Sequence, residues 1–291
     1  MMAGMETLEF AKGHGTGNDF VLVPDPDGAL DLTPALVAAL CDRRYGVGGD
    51  GLLRVVRAAA VPAAAPAAVP DRSGDHGGAE WFMDYRNADG SVAEMCGNGV
   101  RVFARYLVSS GLAARQEMVL ATRAGPVSAL VTDEAVSVTM AVPRRYGAST
   151  ARLGQLELSG TAVDCGNPHL VCPLPAGLDL ADVDLTRPPE VDTGFFPDGV
   201  NVELITPPTG AGHVRMRVYE RGVGETRSCG SGAVAAAAVA LDATGRAEGV
   251  VTVDTPGGPL TVGLTGHGAV LTGPAVLVAR GTVSLPALGY A

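Results

Sequence analysis

Two cysteines stand in matched surroundings. Cys96 opens the run Cys96-Gly97-Asn98-Gly99, and Cys229 opens Cys229-Gly230-Ser231-Gly232, 133 residues later (229 − 96). Each Cys-Gly-x-Gly leads into a helical pattern. Val100, Phe103, Ala104, Leu107 and Val108 follow the helical period, with Gly111 placed to end it. Ala233 to Leu241 is apolar on every face and stops near Gly245, which demands a helix buried within protein. Both thiols are therefore expected at the N-termini of core helices. Free N–H groups and the helix dipole favour an anion there, and the thiolate fraction rises. A thiol paired with a thiolate suits one task well: one takes a proton from one face of a carbon, the other returns a proton to the opposite face. The negative charge that grows as an α-proton leaves needs N–H donors, which two glycine-rich helix starts supply. Gly97, Gly99, Gly230 and Gly232 let the backbone approach a substrate carboxylate closely.

The elements that must position these thiols repeat along the chain. Downstream of each helix, Ala121-Thr122-Arg123-Ala124-Gly125-Pro126 faces Asp254-Thr255-Pro256-Gly257-Gly258-Pro259 at the same offset, sharing a Thr and a Gly-Pro. Upstream, Gly17-Asn18-Asp19-Phe20 loosely echoes Gly166-Asn167-Pro168-His169. Strands are expected at Phe20–Val23, Leu52–Val56, Trp81–Tyr85, Met118–Thr122, Val127–Thr132 and Val136–Val142. A second set is expected at His169–Pro173, Val200–Thr206, Val214–Tyr219, Val250–Asp254, Leu260–Leu264 and Val270–Leu271. The expected fold is α+β, with two pseudo-symmetric lobes, each a mostly antiparallel sheet or barrel wrapped around a buried central helix. Residues 1–141 with 275–291 would form the lobe carrying Cys96, and 142–274 the lobe carrying Cys229. A cleft between lobes would receive one helix start from each. The Ala- and Pro-rich run at about 58–78 reads as a surface loop.

Composition narrows the function. A net charge of −10 and a pI near 4.9 argue against nucleic acid or a membrane surface as partner. The segment at the start of the sequence lacks a basic region followed by an apolar one, so a cytoplasmic location is expected. Five cysteines without that segment do not read as a disulfide framework, and Cys165, His169 and Cys172 fit no common zinc spacing, so no metal is expected. Of 21 basic residues, Lys12 is the one lysine, so Schiff-base chemistry would hang on a single side chain. Gly46-x-Gly48-x-x-Gly51 matches a dinucleotide fingerprint formally. It follows a helical stretch and precedes a strand, the reverse of the required order. His14, His76, His213 and His267 read as ordinary surface or loop residues.

Six blocks in order resemble the diaminopimelate epimerase family: Lys12-Gly-His-Gly-Thr-Gly-Asn-Asp-Phe20, Arg44-Tyr-Gly-Val-Gly-Gly-Asp-Gly51, Asn87-Ala-Asp-Gly-Ser91 with Met95-Cys-Gly-Asn-Gly99, Gly166-Asn-Pro-His169, Val200-Asn-Val202, and Tyr219-Glu-Arg-Gly-Val-Gly-Glu-Thr-Arg-Ser-Cys-Gly-Ser-Gly232. The resemblance implies an isomerase that needs no pyridoxal phosphate or other cofactor and epimerises diaminopimelate between its LL and meso forms, on the way to lysine and peptidoglycan. It implies that Cys96 and Cys229 are the acid/base pair. Asn18, Asn87, Asn167 and Asn201, with Glu220 and Arg221, would hold the substrate's distal amino-acid end. Gly97, Asn98, Gly230 and Ser231 would present N–H groups to the reacting carboxylate, and His169 and Glu220 would tune the thiols. The family also implies a homodimer. Some members carry Gln where this chain has Gly51.

Three readings compete. A proline or hydroxyproline racemase shares the two-thiol logic, but its substrate offers no distal amino acid to the asparagines. A redox pair would use a Cys96–Cys229 disulfide, which is expected instead as an inactivating oxidation. A non-catalytic binder needs neither thiol.

Overall fold

The computed structural model describes residues 6–61, 78–208 and 212–289. His76 and most of the 58–78 run lie outside the described residues. The chain forms two compact units, one from residues up to Val138 together with those from Pro274 on, the other from Thr139 to Gly273.

In the first unit, β1 (Thr7–Gly15) and β2 (Asn18–Pro24) form a hairpin. A short helix α1 (Pro34–Cys41), capped by Thr33 accepting from the Leu36 N–H at 3.2 Å, leads to β3 (Gly51–Arg57), parallel to β2. Next come β4 (Trp81–Asn87), helix α2 (Gly97–Ser109) and β5 (Glu117–Thr122), which lies parallel to β4, so α2 is a crossover. β6 (Gly125–Val131) and β7 (Val136–Met140) continue antiparallel.

The second unit repeats this plan. β8 (Arg144–Leu153) and β9 (Leu156–Asp164) form a hairpin, and β10 (Pro168–Pro173) pairs with β9. The two-residue β11 (Glu190–Val191) lies against β8. β12 (Asn201–Ile205) runs parallel to β10, and β13 (His213–Glu220) turns back against it. After the short β14 (Gly224–Thr226), helix α3 (Gly230–Asp242) crosses to β15 (Gly249–Thr255), parallel to β13. β16 (Gly258–Thr265) and β17 (Gly268–Gly273) end the unit antiparallel. The chain then returns to the first unit as β18 (Val276–Ser284), antiparallel to β1.

Strand for strand, β18-β1-β2-β3-β4-β5-β6-β7 in the first unit matches β8-β9-β10-β12-β13-β15-β16-β17 in the second. Both central helices have 13 residues. The shared Thr and Gly of the late hexapeptides make one turn twice: Thr122 Oγ1 donates to Gly125 O at 2.7 Å and Thr255 Oγ1 to Gly258 O at 2.8 Å. Gly125 and Gly258 take positive φ there, of 113° and 128°.

Each helix is enclosed by its own unit. α2 touches β1, β2, β3, β4, β6 and β18, and α3 touches β9, β10, β12, β13, β15, β16 and β17. Ala233 to Leu241 are all buried, at 7% exposure or less, as an all-apolar helix requires. β1, β8, β9 and β18 were absent from the expected strands. β8 and β18 are mostly exposed and carry no apolar alternation, so the period-2 signal is missing.

Candidate active site

Both cysteines are helix N-caps. Cys96 and Cys229 are extended (φ −142°, ψ 117° and φ −120°, ψ 121°), and each sulfur accepts the N–H of the glycine three residues on, Gly99 and Gly232, at 3.4 Å. Serine, threonine and the Asx residues normally cap helices because their oxygens accept well. A neutral thiol accepts poorly, so the N–H groups are better matched to a thiolate.

The side chain of Asn18 lies against Cys96. The thiol donates to Asn18 Oδ1 at 3.6 Å, and Asn98 Nδ2 reaches the same oxygen at 3.3 Å. Asn18 Nδ2 donates to Asp50 Oδ2 at 2.8 Å, which fixes its amide orientation. Behind it, Arg43 grips Asp19 through two bonds of 2.9 and 2.7 Å and reaches Asp50 at 2.6 Å. Lys12 bonds Asp19 at 2.5 Å and also donates to the Gly48 carbonyl. The one lysine is thus a post for the 46–51 loop. Burial pushes the Asp19 carboxyl up, but hydrogen bonds from Arg43 and Lys12 overcome this and hold it well below the usual carboxylate range. Strand register brings Asn87 to the same sheet edge: Phe20 pairs with Gly51, and Gly51 with Asn87. Asn87 Nδ2 donates to Ser91 Oγ at 2.9 Å. Gly51 has no room for a side chain, since a Cβ would lie 2.6 Å from the Arg86 carbonyl oxygen.

The second unit carries the equivalent row, where His169 pairs with Asn201 and the same register sets Asn201 opposite Glu220. His169 is fully buried; its Nδ1 lies 2.7 Å from Glu203 Oε1 and its Nε2 lies 3.0 Å from Asn167 Oδ1. Asn201, buried, accepts the Arg221 N–H at 3.0 Å. Arg221 is exposed and donates through Nη1 to the Asp198 carbonyl at 3.0 Å. Thr226 donates to Glu220. Ser231 Oγ lies 3.5 Å from the Cys229 sulfur. Burial pushes the Cys229 thiol well above its ordinary value, and the Glu220 and Glu203 carboxylates push it further; Ser231 and the Gly232 N–H pull it back only in part. The helix start thus acts in the expected direction but is outweighed by burial and the two carboxylates. Glu220 and Glu203 are the carboxylates that bear on this thiol, and His169 is bonded to Glu203. The remaining cysteines have no such setting: burial raises Cys41 and Cys172 to about 12, and Cys165 further.

Sequence reasoning missed Glu203. The signal was present, because in Val200-Asn-Val-Glu-Leu-Ile a period of two puts Glu203 on the face of Asn201, and a carboxylate inside so apolar a strand needs a reason. Asp19, Asp50 and Arg43 lay within or beside quoted blocks, but only the fold shows that they support Asn18.

The two helix starts differ in tolerance. A Cβ on Gly99 would meet Cys96 Cβ and Leu53 Cδ2 at 3.4 Å, ordinary contact, while one on Gly232 would fall 2.6 Å from Glu203 Oε1 and 3.2 Å from Cys229 Cβ. Gly99→Ala is expected to leave stability unchanged or raise it by up to about 1 kcal/mol through helix propensity. Gly232→Ala is expected to lower stability by about 1–3 kcal/mol through overpacking. Urea unfolding of the two variants checks this.

The comparisons agree with these blocks. The family model for diaminopimelate epimerase matches residues 10–146 and 161–278. A diaminopimelate epimerase of Rhodococcus opacus is 53% identical over 285 residues, covering 95% of this chain and 97% of its own. One of Mycobacterium ulcerans is 54% identical over 284 residues, covering 94% and 96%. Among solved structures, a PhzF-family phenazine biosynthesis protein of Bacillus anthracis superposes with a TM-score of 0.68 at 17% identity, covering 96% of this chain and 99% of its own. A hydroxyproline epimerase of Agrobacterium vitis, with trans-4-hydroxy-L-proline bound, gives 0.65 at 18%, covering 98% and 94%. At such identities the two structures speak for the fold alone. With the family model spanning most of the sequence and relatives above half identity along nearly all of it, the chain belongs to the diaminopimelate epimerase family.

Proposed function

We propose that this chain interconverts LL- and meso-diaminopimelate, supplying lysine and peptidoglycan synthesis, by proton transfer between one thiolate and one thiol. The observation that carries the reading is the duplicated helix start, in which a cysteine replaces the usual oxygen cap and takes the N–H of the third glycine. Cys96 and Cys229 are the acid/base pair: one sulfur takes the α-proton, and the other returns a proton to the opposite face of the same carbon. Charge building on the substrate carboxylate is met by the N–H groups of Gly97-Asn98 and Gly230-Ser231, which lie in the first turns of α2 and α3. Asn18, Asn87, Asn167 and Asn201, with Glu220 and Arg221, hold the distal amino-acid end; an ammonium suits the amide oxygens and Glu220, a carboxylate suits Arg221. The polar supports of Asn18 and the His169–Glu203 pair keep these groups in place before substrate arrives.

Lys12 serves this chemistry as a structural cation, its ammonium bound by Asp19 and the Gly48 carbonyl. Among the described residues no helix is long and apolar enough to cross a membrane. The cytoplasm and a homodimeric assembly complete the reading and rest on the family.

The test is proton NMR of reduced protein with LL-diaminopimelate in D₂O. The expected result is formation of meso product carrying deuterium at the inverted carbon, while early unreacted substrate keeps its α-proton, as two separate acid/base groups require. Folded, reduced protein that exchanges no α-proton would remove this substrate, and proline and hydroxyproline would then be tried.

A further inference from the structure

The duplication permits a comparison that a single unit does not. Beneath Gly99 in the first unit lie Leu53 and Phe20, 3.4 and 3.6 Å from where its Cβ would stand; beneath Gly232 in the second lies Glu203, bonded to His169. Register makes these the same places, since Phe20 pairs with Gly51 two residues before Leu53, and His169 pairs with Asn201 two residues before Glu203. An ionisable pair thus stands where the other unit has an apolar one. Two residues before Phe20 and His169 come Asn18 and Asn167. Both amides are tied down, but by opposite ends. Asn18 gives its Nδ2 to the Asp50 carboxylate at 2.8 Å and turns Oδ1 to Cys96 and Asn98. Asn167 is tied by its Oδ1, which lies 3.0 Å from His169 Nε2, and its Nδ2 has no hydrogen-bond partner among the described residues.

Which end of Asn167 is tied depends on a proton. An amide oxygen only accepts, so its contact with His169 is a hydrogen bond only if Nε2 carries hydrogen. On the other side of the ring, Nδ1 lies 2.7 Å from Glu203 Oε1. Two arrangements satisfy both contacts: an imidazolium donating to a carboxylate, or a neutral ring accepting from a protonated carboxyl. In either one the pair holds two protons and carries no net charge. Remove one proton and Nε2 is bare, facing Oδ1 lone pair to lone pair. Turning the amide over would restore a bond, with Nδ2 donating, but not the charge balance. The pair would then be an anion with both side chains at 0% exposure, the costly state for a buried group. Burial raises the Glu203 carboxyl, and His169 is the charged group that draws it back. The neutral pair, with Nε2 protonated, is the arrangement that both the contacts and the burial favour.

We propose that Glu203 and His169 are positioning residues for Asn167: the proton they keep on Nε2 holds the amide by its oxygen, so that the NH₂ end is the one offered to substrate. This rests on Asn167 holding the distal amino-acid end, as proposed above. An NH₂ donor suits the carboxylate of that end and not its ammonium, so Asn167 serves the same group as Arg221. Asn18, tied by its nitrogen, presents an oxygen instead. The first unit, with Phe20 and Leu53 in the equivalent places, has no proton to give there, and Asp50 sets the Asn18 amide. Two asparagines in matched positions are thereby made into one acceptor and one donor.

One measurement needs no substrate. Proton–nitrogen NMR of the parent chain, labelled with ¹⁵N-histidine and held at pH 7, reads which ring nitrogens carry hydrogen. His169 is assigned by the signals that vanish in the double variant His169→Phe, Glu203→Leu. A protonated Nε2 is expected; a bare Nε2, with hydrogen on Nδ1 alone, overturns the proposal. The second measurement uses Asn167→Asp, in which one carboxylate oxygen still accepts from Nε2 while the other replaces the NH₂. KM for LL-diaminopimelate is expected to rise about 10- to 100-fold, with the loss in KM rather than in kcat, because a donor to the distal carboxylate has become a repelling oxygen. An unchanged or lowered KM, which an oxygen serving the ammonium would give, overturns the proposal as well. A parent chain that turns over no diaminopimelate would count against that substrate, and the NMR result alone would then decide.

Discussion

Cys96→Ser and Cys229→Ser are each expected to fold as the parent chain does and to lose about 10³-fold or more in epimerisation. Serine is the informative replacement. Its hydroxyl is a better N-cap than a thiol, so the bonds now made by the Gly99 and Gly232 N–H groups survive and the helix starts keep or gain stability. Alanine would remove the cap as well and cost about 0.5–2 kcal/mol, mixing a folding effect into the rate. What serine cannot do is ionise near neutral pH, so the proton acceptor is lost and little else changes. Steady-state rates with LL- and with meso-diaminopimelate, alongside thermal unfolding, separate the two effects. Either variant retaining a tenth of parental turnover would show that its sulfur carries no proton in the reaction.

The second large effect concerns the buried pair under Cys229. Glu203 and His169 are both fully inaccessible, and Glu203 Oε2 has no hydrogen-bond partner among the described residues. Burial raises the Glu203 carboxyl and His169 draws it down. His169→Phe removes that compensation and is expected to cost about 3–5 kcal/mol near pH 8, since a buried charge is left alone. The cost depends on pH, with a definite sign. Without His169 the folded-state pKa of Glu203 stands above its unfolded value of about 4.3, so the folded chain holds a proton that the unfolded chain has released. Stability is retained below the unfolded value and lost as pH rises through the folded one. The single variant is therefore closest to the parent near pH 4–5 and falls furthest behind it at pH 8. The first unit supplies the remedy, because it fills the same two places with Phe20 and Leu53. The double variant His169→Phe, Glu203→Leu is expected to recover the parent's stability, as apolar replacement of a buried ion pair commonly does, while its turnover stays low. Urea unfolding at pH 5 and pH 8 gives both answers; a double variant no more stable than His169→Phe would refute the equivalence of the two layers.

Much of this was legible because the residues concerned obey short-range rules. Two Cys-Gly-x-Gly starts, an all-apolar Ala233–Leu241 and a turn glycine after each helix announce the central helices without any knowledge of what surrounds them. Strands with one buried face, such as Val214 to Tyr219, announce themselves by alternation. β8 and β18 could not, because they are mostly exposed and their place is set by partners, β9 and β1, rather than by their own pattern. Glu203 and Arg101 belong to a third kind. Each is a charged residue inside an apolar run, at Val202-Glu203-Leu204 and Val100-Arg101-Val102, and each interrupts the pattern that identifies its element. The sequence shows the interruption, but what each charge meets, Glu203 at His169 and Arg101 at Thr16, is a long-range fact. The lowered thiol pKa expected at both helix starts failed at Cys229 for the same reason: helix ends are local, while burial and carboxylate neighbours are not.

The pairing of β1 with β18 also has a consequence for how the protein is made. Thr7 lies opposite Ser284, and the Leu285 N–H closes on the Glu6 carbonyl at 3.0 Å, so the first strand of one unit waits for nearly the whole chain. The other unit is contiguous, from Thr139 to Gly273. On the ribosome the usual order is thereby reversed: the later segment can complete its fold first, while the earlier one stands with an open strand edge until residues beyond 273 emerge. An exposed edge is a site for wrong pairing. The waiting strand, however, is Thr-Leu-Glu-Phe-Ala-Lys-Gly-His-Gly, with two charges and two glycines, a poor template for aggregation. Nascent chains stalled near residue 273 are where protease and chaperone should find the first unit still unsealed.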